Sequence, residues 1–172
     1  MDARTSKMQK RISAKQEKRM AEDLGGRVQP ASGALKHAKG DVRVMGSVRA
    51  EAKYTSKSQY TLKLAELEKI IGEAGLDRAV LQVCFADRAN RPILELAVFP
   101  WNKTEGVSGA LERADIQTFA KSLRLDRDRI AVKLLSGDRY IVFSEKGGEV
   151  RHRWFRISNW KDYLTLMEEI DA

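Results

Sequence analysis

The chain has 172 residues, of which 42% are hydrophobic and 33% are charged, and its formal net charge is +8. This composition fits one globular domain, and the longest apolar run falls well short of the roughly 20 residues that a membrane-spanning helix needs. Residues 1–63 hold 15 lysines and arginines against 6 acidic residues, whereas residues 64–172 hold 17 against 18. The excess positive charge lies in the first third, which favours a polyanionic partner, most simply nucleic acid. A solvated basic tail without a partner is the alternative.

The N-terminal segment is charged and lacks the apolar core of a secretory signal. Cys84 is the single cysteine, so the chain cannot form an internal disulfide. We therefore expect a cytoplasmic, reducing setting and no membrane association.

Turn signals and hydrophobic periodicity predict the elements of the first 100 residues. A helix beginning near Ser6 or Ser13 should end at Leu24, because Gly25 and Gly26 follow it. Residues 1–6 are expected to be disordered. The other predicted elements of this part are a strand at 27–29, a loop at 31–40, a hairpin at 41–54, a helix at 58–74, and strands at 79–86 and 93–99.

The pattern changes after Pro100. The predicted elements there are a helix near 115–124, strands near 130–135, 139–144 and 149–157, and a last helix running to about Ile170. The predicted fold class is α/β. It comprises a mixed core of order αβββαβ in residues 1–100, followed by a smaller C-terminal α+β extension of unknown role in residues 101–172.

The hairpin predicts a cluster of charged side chains. With a three-residue loop at 45–47, Val44 lies opposite Val48, and Asp41 lies opposite Glu51. Two opposed carboxylates repel each other unless a cation lies between them, and Mg²⁺ prefers oxygen ligands. Strand alternation places Lys53 on the same face as Glu51, which must open to solvent or to a ligand. An ordinary exposed hairpin with alternating charges is the alternative.

The first helix offers a third carboxylate. At 100° per residue, Glu17 falls in the middle of the apolar arc that includes Ser13, Met20 and Leu24, whereas Glu22 falls on the solvent side. A carboxylate on a buried face is costly unless it is paired or bound to a metal. Glu17 is therefore a candidate site residue, and pairing with a core-facing lysine or arginine is the alternative.

These residues together resemble the PD-(D/E)XK nuclease superfamily, and within it the small archaeal-type Holliday junction resolvases, which also occur in phages. The matching parts span about residues 10–100, and Gly40 stands where the superfamily name has proline. They are Glu17 in the first helix, Ser32-Gly33 in the following loop, Gly40-Asp41 before a strand, Glu51-Ala52-Lys53 on the next strand, and the helix after it.

The resemblance implies a restriction-endonuclease-like core that hydrolyses DNA phosphodiesters with Mg²⁺, for which Mn²⁺ would substitute. Asp41, Glu51 and the Ala52 carbonyl would hold the metal, Glu17 would complete the site directly or through water, and Lys53 would position the attacking water. Ser32 would approach the cleaved strand. The other expected DNA contacts are Arg19, Lys36, Lys39 and Arg49.

Three functions remain open at this point. The leading one is a structure-selective endonuclease acting on Holliday junctions during DNA recombination, expected to be a homodimer because symmetric cutting needs two active sites. The second is a nicking or restriction-like nuclease on ordinary duplex. The third is a basic protein that binds nucleic acid without cutting it.

Overall fold

The computed structural model describes residues 3–29, 41–44, 46–101, 116–145 and 151–171. It contains a mixed eight-stranded sheet flanked by helices, and a separate two-stranded sheet. The helices are α1 (Ala3–Leu24), α2 (Leu64–Ala74), α3 (Arg127–Leu134) and α4 (Trp160–Asp171). The strands are β1 (Arg27–Val28), β2 (Val42–Val44), β3 (Val48–Thr55), β4 (Gln59–Lys63), β5 (Arg78–Ala86), β6 (Pro92–Pro100), β7 (Ile116–Phe119), β8 (Ser122–Asp126), β9 (Arg139–Glu145) and β10 (Arg151–Asn159).

The large sheet has the strand order β1-β2-β3-β5-β6-β10-β9-β7, and β4 pairs with β8 in the small sheet. β1, β2 and β3 form an antiparallel meander, and β5 then pairs parallel to β3 after the chain has crossed through α2. A parallel neighbour requires such a crossover because a short turn cannot return the chain in the same direction.

Each face of the sheet has its own hydrophobic core. On one face, α2 contributes Leu67 and Ile70, which cluster with Leu81 and Val83 of β5. On the other face, Met20 of α1 and Tyr163 of α4 cluster with apolar side chains of the central strands. The two cores hold α2 on one face of β3, and α1 on the other.

The residues after 100 continue the same sheet. β10 pairs antiparallel with both β6 and β9, and β9 pairs parallel with β7. The Trp160 indole N–H donates to the Asp23 carboxylate at 2.8 Å, which ties α4 to α1. The predicted α+β extension is therefore built onto the sheet of the first 100 residues.

Several predicted elements agree with the structure, and four differ. The hairpin, the strands β5, β6, β9 and β10, the end of α1 and the last helix are confirmed. The first helix begins earlier than predicted, at Ala3, so residues 3–6 are helical. The helix predicted from residue 58 begins at Leu64, because residues 59–63 pair with β8 as a strand.

The other two differences lie in the C-terminal part. The predicted helix at 115–124 is replaced by β7 and β8, whose partners β9 and β4 are distant in sequence. The predicted strand at 130–135 belongs to α3, where the Asp126 side chain accepts a hydrogen bond from the Arg129 amide as an N-cap. Ile130 and Leu134, four residues apart, form the buried face of this helix.

None of the described helices is long and apolar enough to cross a membrane. The loop predicted at 31–40 lies outside the described residues, which resume at Asp41.

Candidate active site

The β2–β3 hairpin positions Asp41 beside Glu51. The pairs Val44↔Val48 and Val42↔Ala50 confirm the predicted register. Gly46 in the turn has a φ of 74°, a left-handed conformation that glycine adopts without strain. Asp41 immediately precedes β2, and its amide donates to the Ala50 carbonyl at 3.0 Å. Its carboxylate Oδ2 accepts from the Ala52 amide at 2.7 Å, which holds the carboxylate against β3 next to Glu51.

Glu51 lies between two lysines. Lys53 Nζ is 2.7 Å from Glu51 Oε1, and Lys69 Nζ of α2 is 3.3 Å from Glu51 Oε2. Lys53 Nζ is also 3.6 Å from Glu66 Oε1. The Tyr60 hydroxyl of β4 donates to Glu66 Oε2 at 2.8 Å. These contacts form a continuous polar network from β3 through α2 to β4.

The charged face of β3 is more enclosed than the sequence predicts. Its partner face packs as expected, with Ala50 fully buried, but Glu51 is also buried, at 7% exposure. The reason is that α2 covers this face and supplies Lys69 and Glu66 as partners. The Lys53 side chain keeps 32% of its surface exposed, so the network opens to solvent on its side.

The pKa values of the two central carboxyls, Asp41 and Glu51, shift in opposite directions. Burial, and then the charge of Glu51, raise the pKa of Asp41, although the Ala52 amide and the two lysines oppose this. Burial alone would also raise the pKa of Glu51, but its hydrogen bond to Lys53 and the charges of Lys53 and Lys69 bring it below the ordinary value. Asp41 is therefore the carboxylate whose negative charge is less fully compensated.

The Lys53 ammonium is stabilised in its charged form. Burial on its own would lower the pKa of Lys53, but the hydrogen bond to Glu51 and the charges of Glu51, Glu66 and Asp41 raise it above the ordinary value. Lys53 is therefore a cation at neutral pH, able to stabilise negative charge on a phosphate.

Glu17 approaches the cluster from α1. Burial, and then the charge of Asp41, raise the pKa of Glu17. The buried face of α1 is formed by Gln16, Met20 and Ala21, and Ser13, predicted to be in that face, is exposed. Glu17 is half-buried beside this face. Asp41 thus interacts with carboxylates on both sides of the sheet, Glu17 from α1 and Glu51 from β3.

The remaining predicted DNA contacts have different environments. Arg19 of α1 forms an ion pair with Glu95 of β6. Arg49 is only 5% exposed, so its guanidinium is not on the surface where a DNA contact was expected, because α2 and the neighbouring strands enclose this part of β3. Ser32, Lys36 and Lys39 lie outside the described residues.

Sequence reasoning missed three members of the network: Lys69, Glu66 and Tyr60. Glu66 and Lys69 are three residues apart and thus share one face of α2. That spacing was a signal that the helix carries charges toward a neighbour. The sequence did not indicate that the neighbour is β3. A helix over residues 58–74 hides β4, the strand that leads the chain from β3 into α2.

A groove of about 870 Å³ lies on the α1 side of the sheet, between α1 and the turn that joins β5 to β6. Its cations are Arg11, Lys15 and Arg19 from α1, and Arg91 from the turn. Gln16 also lines the groove, and its side-chain amide donates to the Lys53 carbonyl at 3.2 Å. The groove therefore borders β3 on its α1 side, whereas the Glu51 and Lys53 side chains lie on the side covered by α2.

The donor chemistry of the cluster fits a hard divalent cation. Burial raises the pKa values of Asp41 and Glu17, and a neighbouring carboxylate adds to this, Glu51 at Asp41 and Asp41 at Glu17; a bound cation would relieve the repulsion. Among the residues that the structure describes, no group of three or more His, Cys, Asp or Glu side chains is arranged to hold a metal ion. Mg²⁺ is commonly held by one or two carboxylates together with water and substrate phosphates, so Asp41 and Glu51 suffice as protein ligands.

Comparison with known proteins finds no relative: no family model, no curated protein and no solved structure matches this chain. The fold is therefore described by its own topology, a mixed α/β sheet flanked by helices.

Proposed function

We propose that this protein is a Mg²⁺-dependent endonuclease that hydrolyses DNA phosphodiesters. The observation that carries the proposal is the position of Asp41, which is hydrogen-bonded to the Ala52 amide beside Glu51 and Lys53 and has a raised pKa. The order α1-β1-β2-β3-β4-α2-β5 around this cluster, in which β4 belongs to the small sheet, supports a restriction-endonuclease-like core, as the resemblance to PD-(D/E)XK nucleases implies.

Each residue of the cluster has a role in this reaction. Asp41 and Glu51 would hold the metal with the Ala52 carbonyl, and Glu17 would complete the site directly or through water. When bound, Mg²⁺ supplies polarisation of the phosphate and acidification of water. The Lys53 ammonium orients the attacking water and stabilises charge on the phosphate. The water oxygen bonds to phosphorus, a bridging P–O bond breaks, and the departing oxygen takes a proton, which leaves a phosphate monoester and an alcohol.

Lys69 is the partner that can release Glu51 for metal binding. It is 3.3 Å from Glu51 and also 4.0 Å from Glu73 in the next turn of α2. Its side chain is 58% exposed, so it is free to turn toward Glu73. A cation at Glu51 would favour this change by repelling the ammonium.

The proposed substrate is branched DNA, and specifically the Holliday junction, with the protein acting as a homodimer. The cations that α1 contributes to the groove beside it support a polyanionic substrate. A junction has two strands to cut, and a two-fold dimer places one active site at each. Mn²⁺ is expected to replace Mg²⁺.

A second candidate function, binding of nucleic acid without cleavage, is favoured by one observation. Both oxygens of Glu51 contact lysines, so the cluster is also consistent with a structural ion-pair network. In that case the carboxylates stabilise the fold, and only the basic surface functions.

Supercoiled plasmid separates the two functions. The nuclease should convert it to nicked or linear DNA with Mg²⁺ and leave it intact with EDTA. Asp41→Asn should lose cleavage and keep DNA binding, because the substitution removes a metal ligand and one repulsive charge. Binding of plasmid by the wild type without any cutting in Mg²⁺ or Mn²⁺ would establish the non-catalytic function instead.

A four-way junction assayed beside a linear duplex of the same sequence tests the substrate. The proposal expects faster cutting of the junction, at symmetric positions. Equal rates on the two substrates would identify a nicking or restriction-like nuclease.

A further inference from the structure

A second basic cleft, separate from the cluster at Asp41, lies in the C-terminal part of the molecule. It has a volume of about 420 Å³ and is formed between β8, α3 and β9. Four cationic side chains and one carboxylate line it. These are Arg124, Arg129, Lys133, Arg139 and Asp126.

The acidic member of this cleft is already engaged. Asp126 caps α3 by accepting from the Arg129 amide at 3.1 Å, and its other oxygen accepts from the Gln59 side chain at 3.3 Å. The hydrogen bonds to the Arg129 amide and to Gln59 hold the pKa of Asp126 below the ordinary value, so it is ionised at neutral pH. One carboxylate cannot neutralise Arg124, Arg129 and Lys133 together, so the cleft has an excess of positive charge even without Arg139.

The walls of the cleft suit a phosphate ester. Arg129 and Lys133 are exposed on the same side of α3, four residues apart, where they can reach one ligand. Arginine presents a planar fork of donors that matches phosphate oxygens. The floor is apolar, with Ile130, Ile141 and Ile157 buried beneath it, and can accept a sugar ring.

The small sheet joins this cleft to the candidate active site. β4 follows β3 after residues 56–58, and Gln59 lies in the cleft while the next residue, Tyr60, donates to Glu66 of the Lys53 network. The Arg127 amide at the start of α3 also donates to the Ser58 carbonyl at 2.8 Å. β4 therefore connects the cleft to the network around Lys53.

We propose that the cleft between β8, α3 and β9 binds the phosphate backbone of a nucleic acid, as a second contact region outside the nuclease core. This inference rests on the proposed function for the identity of the substrate. The cleft holds the DNA away from the cleaved phosphate and contributes affinity without base specificity, because phosphate contacts carry no sequence information.

Binding measured in EDTA tests the cleft independently of cleavage. Fluorescence anisotropy of a labelled duplex and a labelled junction gives the salt dependence of affinity for four proteins: wild type, Lys133→Gln, Arg129→Gln/Lys133→Gln, and Lys161→Gln as a control. Lys161 is an exposed lysine at the start of α4, outside the cleft. Melting curves confirm that all four proteins fold.

Each lost phosphate contact lowers the slope of log affinity against log salt by about 0.9 on duplex DNA. Between 50 and 200 mM salt, the wild type should therefore lose about 3.5-fold more affinity than Lys133→Gln and about 12-fold more than the double variant. Lys161→Gln should keep the wild-type slope. Equal slopes for all four proteins, or failure of the wild type to bind DNA at 50 mM salt, would overturn the proposal.

A free nucleotide offers the same phosphate oxygens as a nucleic acid backbone. A second experiment therefore measures the shift in melting temperature that deoxyadenosine monophosphate causes. A shift of wild type that the double variant lacks, with equal DNA slopes, would overturn backbone binding in favour of a nucleotide site. Cleavage by the wild type with unchanged slopes in the variants would leave the nuclease proposal standing and remove the cleft. DNA binding that depends on the cleft, without cleavage by the wild type, would leave the cleft proposal standing and remove the nuclease proposal.

Discussion

Asp41 and Glu51 are both acidic and neighbours in space, yet their charges affect the fold in opposite directions. The pKa of Asp41 is raised from its ordinary value of 3.8, whereas that of Glu51 is lowered from 4.5. A raised carboxyl pKa means that the folded state disfavours the charge, and a lowered one means that it favours the charge. The fold therefore tolerates the Asp41 carboxylate at a cost in stability, as expected for a group retained for a function.

The first prediction compares Asp41→Asn with Glu51→Gln in the absence of divalent ions. Asp41→Asn should raise the melting temperature at pH 7, because Asn keeps an acceptor for the Ala52 amide and removes the repulsion. The gain should vanish below the unfolded pKa of about 3.9 and grow as pH rises through the higher folded pKa. Glu51→Gln should lose about 1–3 kcal/mol, since Lys53 and Lys69 lose a charged partner.

Thermal melts between pH 3 and pH 8 provide the measurement. The stability contributed by Glu51 is complete above its unfolded pKa and is lost as pH falls through the lower folded pKa, so the difference from wild type should shrink in acid. Mg²⁺ should raise the melting temperature of the wild type and leave that of both variants unchanged. Destabilisation by Asp41→Asn at pH 7 would contradict the assigned electrostatics.

The second prediction compares Glu17 with Glu22 on the same helix. Glu17 interacts electrostatically with Asp41, whereas Glu22 has a side chain that is 65% exposed and pairs with Lys18 at 3.7 Å. Glu17→Gln should lower cleavage by about 10- to 100-fold, the usual effect of removing a group that supports a metal ligand. Glu22→Gln should leave the cleavage rate close to that of the wild type and change the stability by no more than about 0.5 kcal/mol.

Single-turnover cleavage of a four-way junction measures both variants, with a magnesium titration to separate metal affinity from rate. Glu17→Gln should require more Mg²⁺ for half-maximal rate. If Glu22→Gln matched or exceeded its effect, the assignment of the third carboxylate would be wrong.

At the scale of elements, the site depends on how closely α1 approaches the β2–β3 hairpin. The Gly26 amide donates to the Ala21 carbonyl at 2.8 Å, at the end of α1. A Cβ at Gly26 would lie 2.9 Å from both the Arg43 carbonyl oxygen and Val44 Cγ2. Only glycine allows this approach, which sets the position of Glu17 relative to Asp41.

The third prediction uses two glycine-to-alanine substitutions. Gly26→Ala should destabilise the protein by about 1–3 kcal/mol, because the new methyl group meets backbone atoms that cannot move freely. Gly72→Ala is the matched control, since Gly72 lies within α2 and a Cβ there meets no atom within 4 Å. It should stabilise the protein by about 0.5–1 kcal/mol through helix propensity.

Denaturant unfolding measures both glycine variants. Gly26→Ala should in addition reduce cleavage in the folded protein, because α1 and Glu17 shift away from Asp41, whereas Gly72→Ala should retain the wild-type rate. A neutral effect of Gly26→Ala on both stability and rate would show that this contact does not position α1.

For the whole molecule, the pairing of β6 with β10 and the packing of α4 beside α1 join the two parts of the chain. Trp160 and Tyr163 of α4 belong to the same buried cluster as Met20 of α1 and Val80 of β5. Removing the residues after 100 would uncover this cluster and leave β6 with an unpaired edge.

The fourth prediction is therefore one cooperative unfolding transition. The three tryptophans, Trp101, Trp154 and Trp160, all lie after residue 100, so their fluorescence reports the C-terminal part. Far-ultraviolet circular dichroism reports the whole chain. The two signals should give coincident urea curves, and a chain ending at residue 100 should fail to fold. Two separate transitions, or a folded truncated chain, would show independent domains.

The local parts of the site could be predicted from the amino-acid pattern alone. The loop length and the alternation of side chains along β3 predicted the Val44↔Val48 register, and with it the proximity of Asp41 to Glu51. The ends of α1 and α2 at Gly25 and Gly75 were also predictable. Both glycines adopt the positive φ that commonly follows a helix, and this conformation depends only on neighbouring residues. Such features depend on hydrogen bonds and periods that are complete within a few residues.

Contacts between distant elements became known from the fold alone. The sequence predicted an open charged face on β3, but α2 encloses Glu51 and brings Lys69 to it. It predicted helix where β4 and β7 are strands, because their pairing with β8 and β9 supplies hydrogen bonds that no local pattern encodes. Strand identity in these short segments, and the charge balance at Asp41, arise from contacts between residues far apart in the chain, where packing of the whole molecule outweighs local preference.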